Sequence, residues 1–138
     1  MADLSELLAL YRVLNSDDEL LDAEDAGEIY RTILSHAGMT VFIAVDGTRP
    51  VATASLVITP NLTRGGRSYA IIENVVSAKS HRGKGYGRAV VCHAIEVARS
   101  AGCYKVMLLT GRADPAIHRF YESCGFVQSK TGFQIRCS

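Results

Sequence analysis

The sequence lacks the features that mark membrane-spanning and exported proteins. It contains no stretch of about 18 consecutive apolar residues, the length that a bilayer span requires. The N-terminus has neither the basic start nor the small-residue cleavage site of a signal peptide, so we expect a cytoplasmic protein without a membrane partner. The cysteines form no CxxC motif and lie at metal-ligand spacing from no histidine. We therefore interpret them as reduced packing residues and expect no metal.

Acidic and basic residues are unevenly distributed along the chain. Residues 1–30 hold nine of the fourteen acidic residues and a single basic one, Arg12. The rest of the chain holds the other fourteen basic residues, but they form no run and alternate with no aromatic platform. This pattern favours a small polyanionic ligand over nucleic acid as the partner of the basic part.

The hydrophobic pattern predicts one domain, residues 1–138, built from helices and strands. A central strand at Ser68–Val76 is apolar on both faces, which is typical of a strand inside a sheet. The other predicted elements are two N-terminal helices (Leu4–Leu14 and about Leu21–His36), a hairpin (Thr40–Val45 and Val51–Thr59), a helix after the central strand, a buried strand (Tyr104–Leu109), a helix from Asp114, and closing strands at Phe126–Val127 and Phe133–Ile135.

A basic, glycine-rich loop joins the central strand to the following helix. The segment Arg82–Arg88 has glycine at positions 83, 85 and 87 and basic residues at 82, 84 and 88. Free amides and the dipole at a helix N-terminus favour phosphate there. The spacing of the glycines matches neither the GxxxxGK[ST] motif of nucleoside triphosphate sites nor the GxGxxG motif of dinucleotide-binding folds. A pyrophosphate held by R-x-x-G-x-G fits, and the alternative is a turn without a ligand.

Several motifs resemble those of the GNAT N-acetyltransferases. Val75-Val76-Ser77, followed by Arg82-Gly-Lys-Gly-Tyr-Gly87, resembles their acetyl-CoA motif, and Asp114-Pro115 leading to Phe120-Tyr121 resembles their last helix. The similarity covers about residues 40–138. Glu73-Asn-Val-Val resembles the glucosamine-phosphate N-acetyltransferases most. The chain departs from that group at Leu109, where the group has an acid. The aminoalkylphosphonate acetyltransferases therefore resemble the chain equally well.

The resemblance implies an α/β fold whose central, mixed and mostly antiparallel sheet is flanked by helices and has one splayed central strand. It implies acetyl-CoA as co-substrate, direct transfer in a ternary complex to the primary amine of a small molecule, and a homodimer. The alternative is a module that binds acetyl-CoA or a phosphate ligand without transferring a group. The residues implied to bind acetyl-CoA are Val75, Val76, Ser77, Arg82, Gly83, Lys84, Gly85, Tyr86, Gly87, Arg88, Asp114 and Tyr121.

Two residues are candidates for catalysis. Glu73 is the one acid between Asp46 and Glu96, in a strand where burying a carboxylate is costly, so we interpret it as the base, acting directly or through water. The alternative is a structural carboxylate that bonds loop amides. Tyr121 matches the family's tyrosine beside the sulfur, which donates a proton to the leaving thiolate; the alternative is a ring packed on the sheet.

The residues leave two interpretations of the acceptor site open. Arg64, Arg67 and Arg112 are candidates to hold a phosphate or carboxylate of the acceptor. The acidic N-terminal segment is instead a candidate to attract a cationic acceptor, although a solvated helix face explains it as well. The isolated histidines His81 and His118 are interpreted as solvated.

Overall fold

The computed structural model describes residues 3–138, in which two helices precede three consecutive strands, followed by a helix, a short strand and a last helix. The elements are α1 (Leu4–Leu14), α2 (Ala23–Ser35), β1 (Met39–Asp46), β2 (Arg49–Thr59), β3 (Tyr69–Ser77), α3 (Tyr86–Ser100), β4 (Val106–Met107) and α4 (Pro115–Ser123). They divide into two compact units, one that ends at Leu108 and one that covers Leu109–Ser138. Within residues 3–138, no helix combines the length and apolar character needed to span a membrane.

The first unit is built on a mixed sheet with the strand order β1-β2-β3-β4. β1 pairs with β2 and β2 with β3 in antiparallel fashion, whereas β3 and β4 run parallel. The short turn at Gly47, whose φ of 63° suits glycine, closes the β1-β2 hairpin. The expected mixed, mostly antiparallel sheet and the expected hairpin are confirmed.

Helices cover both faces of this sheet. On one face, Leu10 of α1 packs in a cluster with Val51, Val76 and Ala78. On the other face, the ring of Phe42 meets His93 of α3 edge-on, with ring centroids 5.1 Å apart. α3 also buries the apolar side chains Val90, Val91, Ala94 and Ala98 against the sheet. Burial of one such large apolar side chain contributes about 2 kcal/mol, so these stripes fix both helices on the sheet.

Three predicted strands are shorter than expected or missing. The strand predicted at Tyr104–Leu109 contains only Val106 and Met107, because it pairs with Ala70 and Ile71 of β3 and with no further residues. The closing strands predicted at Phe126–Val127 and Phe133–Ile135 are wrong: the described residues 125–138 form no helix or strand. Short apolar runs become strands only where a partner strand satisfies their backbone, and these runs have none.

Candidate active site

β3 contains a bulge at its centre. Thr53 of β2 pairs with Val76, whereas Ser55, two residues on, pairs with Glu73, three residues back. β3 therefore holds one more residue than β2 over this stretch, and Asn74 adopts a φ of 53°. A bulge of this kind bends a strand and leaves a residue unpaired. The bulge that the resemblance implied for this strand is thus present, at Asn74 and Val75.

The bulge lies beside an open edge of β3. β4 pairs with β3 only at Ala70 and Ile71, so among residues 3–108 no strand pairs with that edge beyond Ile71. The amide of Ala78 donates to the carbonyl of Val51 on β2 at 2.8 Å. Amides alternate in direction along a strand, so that of Ser77 points away from β2, toward the open edge. The bulge leaves Asn74 and Val75 without a partner in the register with β2.

Glu73 ends at the surface, next to the bulge. Although Glu73 lies in an otherwise apolar strand, its side chain is exposed, so the cost of burying a carboxylate, from which the sequence argument started, does not arise here. Its cross-strand partner Ser55 is 4% exposed. Alternation along β2 puts Ser55 on the opposite face from Ala54, the partner of Phe42, so Glu73 lies on the face that carries α1.

The glycine loop forms a tight, exposed turn before α3. Gly83 and Gly85 have φ values of 77° and 90°, and a Cβ at either position would meet no atom within 4 Å. Gly85 is the N-cap of α3 and provides no side-chain cap, so no capping side chain occupies the first amides of α3. Arg82 and Lys84 are exposed on this turn. An anion can therefore approach the backbone closely, flanked by positive charge, as the sequence predicts.

One residue of this region was missed by sequence reasoning. His81, interpreted above as solvated, has a side chain only 12% exposed, and its Nε2 donates to Oδ2 of Asp46 at 3.0 Å. Its Nδ1 lies 2.7 Å from Oγ of Ser80, and its ring meets Tyr86 edge-on with centroids 5.6 Å apart. Asp46 is 35 positions away at the end of β1, so no local pattern signals the pair.

The C-terminal unit holds the other two predicted site residues, Asp114 and Tyr121. Asp114 caps α4: its Oδ1 accepts from the amide of Ala116 at 2.9 Å, with Pro115 in the first turn. Nε2 of His118 lies 3.0 Å from the carbonyl oxygen of Arg112, which ties α4 to the preceding segment. The carboxylate of Asp114 is thus engaged with its own helix.

Tyr121 sits among aromatic rings on α4. The rings of Phe120 and Phe126 lie edge-on to it, at centroid distances of 5.1 and 6.1 Å. Burial raises the pKa of the Tyr121 hydroxyl above its ordinary 10.0; the Cys124 thiol adds to the rise and the Arg112 guanidinium opposes it. The hydroxyl is therefore protonated, and able to donate, at neutral pH.

A basic and aromatic patch lies at the start of β3 and β4. The guanidinium carbon of Arg64 is 5.7 Å from the ring centroid of Tyr104, and Nζ of Lys105 is 5.3 Å from the same centroid. Lys105 also lies 5.8 Å from the ring of Tyr69. Of the arginines singled out for an anionic acceptor, Arg67 bonds the carbonyl of Gly102 at 3.4 Å. Sequence reasoning did not predict Lys105 in this patch.

The predicted site residues therefore fall into two groups. The first unit holds Glu73 and Val75–Ser77 in the central and last part of β3, and the segment Arg82–Arg88 follows that strand. The second unit holds Asp114 and Tyr121 at the two ends of the short helix α4.

Known proteins resemble this chain in both sequence and structure. Glucosamine 6-phosphate N-acetyltransferase of Trypanosoma brucei brucei is 46% identical over 78 residues, 56% of this chain and 51% of that protein. The chain thus spans about half the length of that relative. Glucosamine 6-phosphate N-acetyltransferase 1 of Oryza sativa subsp. japonica is 33% identical over 132 residues, 93% of this chain and 78% of that protein.

A solved structure and a family model extend the comparison. A solved protein structure from Agrobacterium tumefaciens is 61% identical, with a TM-score of 0.95 over 98% of this chain and 94% of that chain. The model of the Acetyltransferase (GNAT) family matches residues 3–126, which include both groups of predicted site residues. The chain belongs to the GNAT family of acetyltransferases.

Proposed function

We propose that this protein transfers an acetyl group from acetyl-CoA to the primary amine of a small molecule, with an amino sugar phosphate as the preferred acceptor class. The observation that carries the proposal is the bulge in β3, which leaves Val75 without a partner on β2 in the strand that leads into the glycine loop. The family match and the names of the two relatives support the reaction and the acceptor class.

The glycine loop fits the diphosphate of acetyl-CoA. Gly83 and Gly85 leave the space above the turn open, and Arg82 and Lys84 place positive charge on its rim. The amides at the start of α3 then donate to the diphosphate oxygens, where the helix dipole favours negative charge. Ser77, whose amide points to the open edge, lies between the loop and Val75. It is suited to bind the part of acetyl-CoA that joins the diphosphate to the thioester.

The Val75 amide is the proposed donor to the thioester carbonyl. Acyl transfer puts negative charge on this oxygen, and a fixed backbone donor stabilises that charge without having to reorient. Val75 is preferred to Val76, the other residue predicted for this role, because the Val76 amide points toward β2. The amine attacks the carbonyl carbon directly, so no covalent enzyme intermediate forms.

Glu73 and Tyr121 are the proposed proton carriers. Glu73 accepts the proton that the amine must lose, directly or through a water, from an exposed position two residues before Val75. Tyr121 gives its proton to the departing thiolate, a role that its raised pKa supports because the hydroxyl stays protonated. Each proton then has a defined origin and destination.

The basic patch suggests that two copies cooperate. An acceptor phosphate would suit Arg64 and Lys105, but Tyr69 precedes Val75 by six residues, about 20 Å along an extended strand. A small acceptor cannot reach from Val75 to the patch of the same chain. We therefore propose a homodimer in which the patch of one copy serves the other. The exposure of Phe133 and Ile135, 93% and 87%, supports an interface between copies.

The test of the proposed reaction is an acceptor screen read by release of free thiol. The panel contains glucosamine 6-phosphate, unphosphorylated glucosamine, an aminoalkylphosphonate, a polyamine and a peptide N-terminus, each with acetyl-CoA. We expect turnover with glucosamine 6-phosphate and at least tenfold lower kcat/KM for glucosamine, since loss of one charged contact costs about 1.4 kcal/mol or more. Stoichiometric acetyl-CoA binding without thiol release from any amine would point instead to a binding module.

The homodimer has its own test. Light scattering of the purified protein at several concentrations measures its mass in solution. Replacing Phe133 and Ile135 by Ser removes exposed apolar surface without touching a buried residue. We expect a dimer for the natural chain and weaker association for the double variant. A monomer at all concentrations would contradict the shared-site proposal while leaving acetyl transfer itself to the screen.

A further inference from the structure

We propose that the hydrogen bond between Asp46 and His81 is a positioning element, which holds the glycine loop in the conformation that binds the donor. The inference rests on the proposed function, in which the loop binds the diphosphate of acetyl-CoA. It assigns a role to two residues that touch neither the reacting atoms nor, in this proposal, the donor.

The contacts of His81 fix its ring. Nε2 donates to Oδ2 of Asp46 at 3.0 Å, and Nδ1 is 2.7 Å from the hydroxyl of Ser80. In the neutral ring that donates from Nε2, Nδ1 accepts the hydroxyl hydrogen of Ser80; in the charged ring it donates to the same oxygen. Both nitrogens therefore have a partner in either state, so the ring plane is held.

His81 also connects the two ends of the loop. It immediately precedes Arg82, and its ring packs edge-on against Tyr86, the first residue of α3. Tyr86 in turn packs against the buried cluster that contains Leu10 and Val76. The residues before and after the turn Arg82–Gly85 are thus joined to each other, and Asp46 joins both to the end of the β1-β2 hairpin.

A turn of this composition needs such support. Gly83 and Gly85 adopt left-handed φ values, and glycine loses more conformational entropy on ordering than any other residue. A Cβ at either glycine would meet no atom within 4 Å, so no neighbouring side chain packs at these two positions to support the turn. A loop ordered before the donor binds costs less affinity than one that is ordered by binding.

If Asp46 acts through its charge, Asp46→Asn should change donor affinity in one direction; if Asp46 acts by holding His81, it should change affinity in the other. A carboxylate near an anion site repels the anion, so if the pair acted through charge alone, Asp46→Asn would tighten donor binding. If Asp46 acts by holding His81, the same substitution weakens the bond and loosens the loop, so donor binding becomes weaker. The sign of the change in Kd therefore separates the two roles.

The experiment measures acetyl-CoA affinity by calorimetry for the natural protein and for Asp46→Asn, His81→Gln and Asp46→Glu. The matched control is His93→Gln, which changes an exposed histidine on α3 that contacts Phe42 and not the loop. We expect Kd and KM for acetyl-CoA to rise about tenfold in the first two variants, the size of one charge-assisted hydrogen bond. We expect Asp46→Glu to recover part of the loss and kcat at saturating donor to stay unchanged.

Hydrogen exchange of the free protein provides a second measurement that needs no ligand. We expect the amides from Gly83 to Tyr86 to exchange faster in Asp46→Asn and His81→Gln, while the amides of β2 keep their protection. Unchanged or tighter acetyl-CoA binding in Asp46→Asn, or unchanged loop exchange, would overturn the positioning role. If the natural protein itself fails to bind acetyl-CoA, the proposed function fails, and this inference with it.

Discussion

Ser55 of β2 and Glu73 of β3 lie directly opposite each other, immediately before β3 takes up its extra residue. On the far side of the bulge, the partner of Thr53 is Val76, so Glu73 and Val76 share a face although three positions separate them. Val76 packs with Leu10 of α1 in the buried cluster. The bulge therefore puts exposed Glu73 on the same face as buried Val76, with Asn74 and Val75 between them outside the register with β2.

The first prediction concerns Glu73 as a base. Glu73→Gln keeps the size of the side chain but cannot accept the amine proton, so we expect kcat to fall about 10²- to 10⁴-fold. Because Glu73 is exposed, stability should change by less than about 0.5 kcal/mol, and acetyl-CoA affinity should stay the same. Steady-state kinetics, calorimetry and urea unfolding measure the three quantities.

A control for Glu73 is available on α3. Glu96 is also exposed and forms an ion pair with Arg99, away from the bulge and the loop. Glu96→Gln should leave kcat unchanged. If Glu73→Gln retains more than about half of the natural kcat with the preferred acceptor, Glu73 is not the base, and its structural interpretation gains support.

The second prediction concerns Tyr121 as an acid. Tyr121→Phe should lower kcat about 10- to 100-fold while leaving the Kd for acetyl-CoA close to its natural value, because only the proton donor is lost. Burial raises the pKa of Tyr121 above 10.0, so the hydroxyl keeps its proton throughout the neutral range. The loss of rate that comes from its ionisation should therefore appear only above pH 10 and be absent in Tyr121→Phe.

Tyr30 provides the matched control for this prediction. It lies on α2, is 7% exposed, and burial raises the pKa of its hydroxyl as well. Tyr30→Phe should leave kcat and its pH profile unchanged. An equal loss of kcat in both variants would indicate a general effect of removing a buried hydroxyl rather than proton donation by Tyr121.

Elements set by local patterns were predictable from the sequence. The apolar stripe of α3, the hairpin with Gly47 at its turn, and the cap of α4 at Asp114 depend on residues a few positions apart. The stripe follows from the helix period, the turn from the left-handed conformation that glycine adopts, and the cap from the free amides at the start of a helix. The bulge was expected only from the resemblance, since no local pattern marks it.

Features that depend on distant neighbours were not predictable. The exposure of Glu73 depends on which segments pack on β3, and β4, more than 30 positions away along the chain, pairs with β3 only at Ala70 and Ile71. His81 meets Asp46 only because the fold brings the end of the hairpin to it. A single sequence shows the composition of such sites, but not which separate segments meet.

The third prediction concerns the backbone of the bulge. Asn74 has a φ of 53°, a conformation that glycine and asparagine adopt more easily than other residues. Asn74→Gly should therefore change the free energy of unfolding by less than about 0.5 kcal/mol, whereas Asn74→Val should lower it by about 1–2 kcal/mol. Because the same bulge orients the Val75 amide, Asn74→Val should also lower kcat. Equal stability of the two variants in urea unfolding would contradict this account.

The last prediction separates strain from donor binding in the glycine loop. Gly83, Gly85 and Gly102 have φ values of 77°, 90° and 85°, and none has an atom within 4 Å of the position that a Cβ would take. Alanine at any of the three therefore brings similar backbone strain, about 1 kcal/mol, without a clash. Gly102 follows the end of α3, at the opposite end of that helix from the loop.

Gly102→Ala is thus the matched control for Gly83→Ala and Gly85→Ala. All three variants should lose similar stability in urea unfolding. Only Gly83→Ala and Gly85→Ala should weaken acetyl-CoA binding, by at least about fivefold, because strain of about 1 kcal/mol is relieved by moving the amides that are proposed to bind the diphosphate. If Gly102→Ala weakens acetyl-CoA binding to the same degree, the loss reflects general destabilisation, and the loop is not the diphosphate site.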